Sequence, residues 1–138
     1  MRVLIDTNIL VSAVLFPQGL ARKALIDAVE GEAYAVVCDY SITELYDVFT
    51  RKFPADTRLL PQFMAYLSSG VTIVTTPRQA GADEPILRDP KDQPILSAAI
   101  AVDADLILTG DKDLLEAGLE RPQAIEPRSF LALGATDR

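Results

Sequence analysis

The chain of 138 residues predicts an α/β protein: a three-layer α/β/α sandwich around a central, mainly parallel sheet of about five strands. Two observations carry this. Five short apolar runs, most of them rich in Val and Ile, show no polar alternation, which is how strands covered on both faces read. Between them lie stretches with apolar residues at helical spacing, and strand–helix alternation is the pattern of a parallel sheet wrapped by helices.

The elements follow in order. Val3–Ile5 is the first strand, and Leu20–Glu30 the first helix, with Ala21, Leu25 and Ala28 on one stripe and Gly31 where a cap would stand. Ala35–Cys38 is the second strand. Ser41–Lys52 is a helix carrying Ile42, Leu45, Val48 and Phe49, closed by Pro54, and Asp56–Ser69 is another carrying Leu59, Leu60, Phe63 and Leu67. Val71–Val74 is the third strand. Thr76–Lys91, with three prolines, is a long loop within one domain spanning 1–138. Pro94–Val102 is a helix that accommodates its proline in the first turn. Leu106–Leu108, a short helix at Asp113–Ala117, the strand Ala124–Ile125 and a helix at Arg128–Leu133 complete the series.

Composition narrows the chemistry. With 49% hydrophobic and 24% charged residues the chain is globular, not disordered. No apolar run reaches the ~18 residues of a membrane span, and no secretory leader is readable, so the expected location is cytoplasmic. The single cysteine, Cys38, sits in the apolar run AVVC and reads as a small buried hydrophobe. Histidine is absent, which excludes His-based nucleophilic and acid–base schemes and most protein-made zinc sites. Thirteen Lys and Arg against twenty Asp and Glu give a net charge of −7. Such a surface repels nucleic acid unless basic residues are gathered or metal ions intervene.

In a parallel sheet, ligands bind where the chain leaves the carboxyl ends of the strands. Asp6 ends the first strand, Glu44 starts the helix after the second, Asp92 stands where the long loop becomes a helix, and Asp111 follows the fourth strand in LILTGDKDLL. Four acids far apart in sequence should therefore meet, with Asp39, Asp89 and Asp113 nearby. Each has a capping alternative: Ser41-Ile42-Thr43-Glu44 fits a capping box, Asp89-Pro90 would cap a helix with Asp92 at its third position, and Asp113 reads as a first-turn acid. Asp6 is less readily a cap, though an Asx turn would suit it. Taken together, crowded carboxylates raise one another's pKa or call for a cation, and Mg²⁺ or Mn²⁺, hard ions with oxygen ligands, meet that need. Thr7, Asn8 and Thr109 would support the acids by hydrogen bonds, or serve only their own turns.

These residues resemble the PIN-domain ribonucleases, particularly the bacterial toxin-like (VapC-type) branch, over nearly the whole chain. The likeness rests on Asp6-Thr7-Asn8, on Glu44-Leu45, on Asp92 in RDPKDQPILSAAIA and on TGDKDLL around Asp111. It implies that Asp6, Glu44, Asp92 and Asp111 hold one or two Mg²⁺ or Mn²⁺ ions, and that the reaction is hydrolysis of RNA by a metal-activated water. It also implies a protein antitoxin and a homodimer. Phe49, Phe53, Phe63 and Tyr66, on the second and third helices, would partly form a partner surface, though their helical spacing equally suits core packing, the reading favoured for most of them. Cations near the proposed edge are Arg88, Lys91 and Lys112. The alternatives are a PIN-like scaffold that binds RNA or protein without cutting, and a Mg²⁺-dependent receiver or phosphatase. Thr75-Thr76-Pro77 stands where a receiver needs its phosphoacceptor, and Asp6-Thr7-Asn8 where a haloacid-type phosphatase needs Asp-x-Asp. A structure-specific DNA nuclease shares the chemistry but needs insertions that this length does not hold.

Overall fold

Strand β1 (Arg2–Ile5) lies at the centre of a five-stranded sheet in the computed structural model, which describes residues 1–136. Residues 137 and 138, the end of the expected 1–138 span, lie outside the described residues. The sheet runs β3-β2-β1-β4-β5, with β2 at Tyr34–Cys38, β3 at Thr72–Val74, β4 at Leu106–Leu108 and β5 at Gln123–Ile125. Every ladder is parallel; Leu4 pairs with Val36 on one side and Ile107 on the other.

The alternation of side chains along each strand explains why the central strands carry no charged residue beyond the exposed Arg2 that opens β1. Val3, Ile5, Ala35, Val37, Leu106 and Leu108 enter one core, and Leu4, Val36, Cys38 and Ile107 enter the other. The first core is closed by α1 (Thr7–Leu15), α2 (Leu20–Glu30), α3 (Asp39–Lys52), α4 (Leu60–Gly70) and α7 (Pro127–Thr136). The second is closed by α5 (Gln93–Ala101) and α6 (Lys112–Leu115), with Leu87 of the long loop folded into it. This is the expected three-layer α/β/α arrangement. Each enclosed Leu, Ile or Phe contributes about 1.5–3 kcal/mol of transfer free energy, so Leu4, Ile5, Leu45 and Phe49, all fully enclosed, anchor the layers.

Several elements differ from the sequence reading. Helix α1 is not anticipated at all: Ile9, Leu10, Ala13 and Val14 are buried in it, but its β-branched, apolar composition shows little polar face. Helix α3 begins two residues early, at Asp39, which places Glu44 in its second turn and removes the capping box; the Ser41 side chain is fully buried. Pro54–Leu59 forms a 3-10 turn before α4, so the expected Asp56–Ser69 helix is split at Leu60. Strand β3 is an edge strand, with Thr72 and Ile73 exposed, and is not covered on both faces. Gly31 ends α2 as expected, because a Cβ there would lie 2.5 Å from the Asp27 carbonyl oxygen.

Candidate active site

The strand order fixes the site. From β1 the chain builds outward through β2 to β3, then crosses to the other side of β1 to form β4, so a crevice opens at the carboxyl ends of β1 and β4. Asp6 leaves β1 and Asp111 follows β4. A cleft of about 310 Å³ there is lined by Asp6, Thr7, Asn8, Val11, Ser12, Glu44, Val48, Asp89, Lys91, Asp92 and Asp111. The four acids singled out in the sequence therefore share one cavity.

Asp6 is held from three sides. Its Oδ1 accepts from the Thr7 backbone N–H (2.7 Å), and its Oδ2 accepts from Thr109 Oγ1 (2.7 Å) and Asn8 Nδ2 (3.1 Å). It is the N-cap of α1 after all, through the Thr7 bond. A cap needs only one oxygen, and the second is secured by a residue 103 positions away. Burial pushes the Asp6 carboxyl up to about 6; the Thr109 and Thr7 hydrogen bonds pull it down, and Asp111 and Glu44 push it further up.

Asp111 caps α6, its Oδ1 accepting from the Asp113 N–H at 2.8 Å. Thr109 ties it to Asp6, since Thr109 Oγ1 accepts from the Asp111 N–H (2.9 Å) while donating to Asp6. Asn8 adds a second tie, its Oδ1 accepting from the Gly110 N–H. Thr109 and Asn8 thus link Asp6 to the turn that leads to Asp111. The Thr7 hydroxyl does not; it donates to Ser41 Oγ (3.0 Å), and only the Thr7 backbone serves Asp6. Ser41 was missed because in sequence it reads as a cap.

Asp92 is the N-cap residue of α5, three positions before the place the capping pattern would give it, and it makes no side-chain cap bond. The capping role falls to Asp89, whose Oδ1 accepts from the Lys91 N–H (3.0 Å) in a turn at Asp89-Pro90. Asp92 is 6% exposed and its Oδ2 has no hydrogen-bond partner among the described residues. Burial first, and the facing Asp111 carboxyl second, push Asp92 up to about 8. Two ionised carboxylates cannot donate to each other, so a proton or a cation between them would satisfy that oxygen. Glu44 is half-buried, with Tyr40 Oη donating to its Oε2 at 3.4 Å; burial and the Glu44 charge push the Tyr40 phenol up to about 12.

Asp113 lies with Asp89 and Asp92 in a group in which one carboxylate oxygen from each is within 4.8 Å of the others, and it forms an ion pair with Arg88 at 2.7 Å. Asp39 stands apart: its Oδ1 accepts from the Thr76 N–H and hydroxyl, which clasps α3 to the end of β3 and lowers its pKa. The orphaned oxygen of Asp92, and a donor set made wholly of oxygen, fit a divalent cation.

Phe49 is fully buried, so it belongs to the core; Phe53, Phe63 and Tyr66 are half-buried against that core. No single helix among the described residues is long and apolar enough to cross a membrane.

Solved structures share the architecture. A VapBC2 complex from Rickettsia felis, crystallised with a DNA fragment from its promoter, contains a chain that superposes with a TM-score of 0.64 at 17% identity, over 91% of this chain and 98% of that one. A PilT N-terminus domain protein from the archaeon Sulfolobus solfataricus gives 0.53 at 17% identity, over 96% and 92%. No curated protein sequence matches significantly. A family model described as a PIN domain matches residues 2–113, a stretch that opens on the strand delivering Asp6 and closes in the first turn of α6, just past Asp111, and by that match the chain belongs to the PIN-domain family.

Proposed function

We propose that residues 1–138 form one nuclease domain that hydrolyses RNA phosphodiester bonds, with one or two Mg²⁺ or Mn²⁺ ions held by Asp6, Glu44, Asp92 and Asp111. The observation that carries the proposal is the arrival of these four carboxylates in one cleft, with an Asp92 oxygen lacking any partner. A bound divalent cation supplies Lewis acidity and offsets phosphate charge. The chain's own residues do the rest. Thr109, Asn8 and the Thr7 amide fix both oxygens of Asp6. The Asp113 amide orients Asp111, and Tyr40 steadies Glu44. Burial of Asp6 and Asp92 keeps them short of water, so they bind a cation without first shedding a full hydration shell.

The role we propose is that of a cytoplasmic toxin restrained by a protein antitoxin, and acting as a homodimer. Its support is the likeness in fold to the VapBC2 chain. Phe63 and Tyr66, beside an apolar groove of about 360 Å³ between α2 and α4, offer surface for such a protein partner.

The test is cleavage of a mixed single-stranded and structured RNA pool in Mg²⁺, Mn²⁺ or EDTA, with wild type beside Asp6→Ala. Cutting that requires metal and is lost in the variant is the expected result. No cutting, together with no Mn²⁺-induced rise in melting temperature, would turn the reading to a binding scaffold.

A further inference from the structure

Of the three cations at the carboxyl edge, two have an evident disposition. Arg88, on the long loop, is committed to Asp113 at 2.7 Å. Lys112 opens α6 and is exposed, outside the residues that line the cleft. Lys91 is different. It lines the same cavity as Asp6, Glu44, Asp89, Asp92 and Asp111, yet among the described residues it forms no ion pair with any of them.

The local backbone accounts for this. Asp89 Oδ1 accepts from the Lys91 N–H, and the Asp89 carbonyl accepts from the Asp92 N–H, so the turn Asp89-Pro90-Lys91-Asp92 is closed on both sides. Pro90 fixes φ one residue earlier. The turn sends the Asp92 carboxylate inward, 6% exposed, and leaves Lys91 exposed at the mouth. A lysine beside five carboxylates lowers its energy by pairing with one. Left unpaired, it is a cation presented to whatever anion approaches the cleft. In a chain of net charge −7 that is the arrangement an anionic ligand needs.

We infer that Lys91 binds a phosphate of the nucleic-acid strand next to the one being hydrolysed, and so draws the substrate into an otherwise repelling acidic cleft. The inference rests on the nuclease reading above. As a point charge on a flexible stem, Lys91 recognises a phosphate without regard to base, so the contact contributes affinity and not sequence preference. Such a contact is made equally in the ground and transition states, so its loss raises KM and spares kcat.

The experiment is steady-state cleavage of a single-stranded RNA in Mn²⁺ across a salt series, with wild type, Lys91→Gln, Lys91→Arg and Lys112→Gln. For Lys91→Gln, KM rises about tenfold, kcat stays within about twofold, and the slope of log(kcat/KM) against log salt becomes shallower by about 0.7–1. Lys91→Arg restores the slope, and Lys112→Gln leaves it unchanged. The Mn²⁺-induced rise in melting temperature stays the same in all four proteins. An unchanged slope in Lys91→Gln, or a fall in kcat with KM constant, would overturn the assignment while leaving the nuclease intact. Absence of metal-dependent cutting by wild type would remove the nuclease reading and this inference with it.

Discussion

At the amino end of the sheet, Asp103 and Asp105 stand in solvent against Arg2 and Arg121; at the carboxyl end, Asp6 and Asp92 are buried and no lysine or arginine pairs with either among the described residues. Arg121 bridges Asp103 at 3.3 Å and Asp105 at 3.2 Å, and the Arg2 amide donates to Asp105. These are acids whose charge is already answered, and the Arg2 hydrogen bond, ahead of Arg121, lowers the Asp105 pKa. Asp6 and Asp92 have the opposite shift. The fold therefore tolerates an electrostatic penalty at one end that it avoids at the other, and a retained penalty marks a place where the missing charge comes from outside.

The comparison is broken most directly by activity. Asp92→Asn or Asp111→Asn should lower the initial rate of Mn²⁺-supported RNA cleavage by more than about 100-fold, whereas Asp103→Asn should leave it unchanged. Equal losses at both ends would mean that the variants act through folding.

Next in size is the response to metal. At free Mn²⁺ one hundred times its dissociation constant, wild type should gain about 2.7 kcal/mol of stability. Calorimetric melting should show that gain retained in Asp103→Asn and absent in Asp6→Asn. Retention in Asp6→Asn would place the ion elsewhere.

Stability without metal should move the other way. In EDTA at pH 7.5, Asp6→Asn should be more stable than wild type by about 1–3 kcal/mol. A shift from 3.8 to about 6 is worth about 3 kcal/mol, reduced because the amide cannot accept every bond the carboxylate does. The folded state holds this proton more tightly than the unfolded state, so the penalty is present in full above pH 6 and is relieved as pH falls toward 4. Denaturant titrations from pH 7.5 to 4.5 should therefore show the variant's advantage shrinking. An advantage independent of pH would point to packing.

The smallest effect belongs to the amino end. Asp105 has a lowered pKa, so its contribution is present above pH 3.8 and declines as pH falls through the folded value. Exposed pairs of this kind contribute little. Arg121→Ala should leave the melting temperature at pH 7 within the scatter of replicate scans, and a clear drop would show that solvent screens this cluster less than its exposure suggests.

How much of this was legible beforehand depended on which force set each feature. The central strands and α2 were readable because burial on two faces and an amphipathic stripe both leave marks in the order of residues. Helix α1 was hidden because Asp6-Thr7-Asn8 mimics a turn and Ile9–Leu15 carries few polar residues to define a face. The four acids were readable as a set, since each lies in the stretch that follows a strand on its way into a helix. Their individual settings were not: whether Glu44 caps α3 depends on a start two residues earlier, and the bond from Thr109 to Asp6 depends on β4 lying beside β1. Strand order is decided by long-range packing and is not written locally.

That neighbouring of β1 and β4 bears on how such a protein is made. Asp6 emerges from the ribosome early, but Thr109, just past β4, and Asp111 follow more than a hundred residues later. A nascent chain that stops short of β4 holds at most three of the four acids and lacks the hydroxyl that pins the first of them. The cleft is therefore completed late, and a half-made copy lacks the full set of acids.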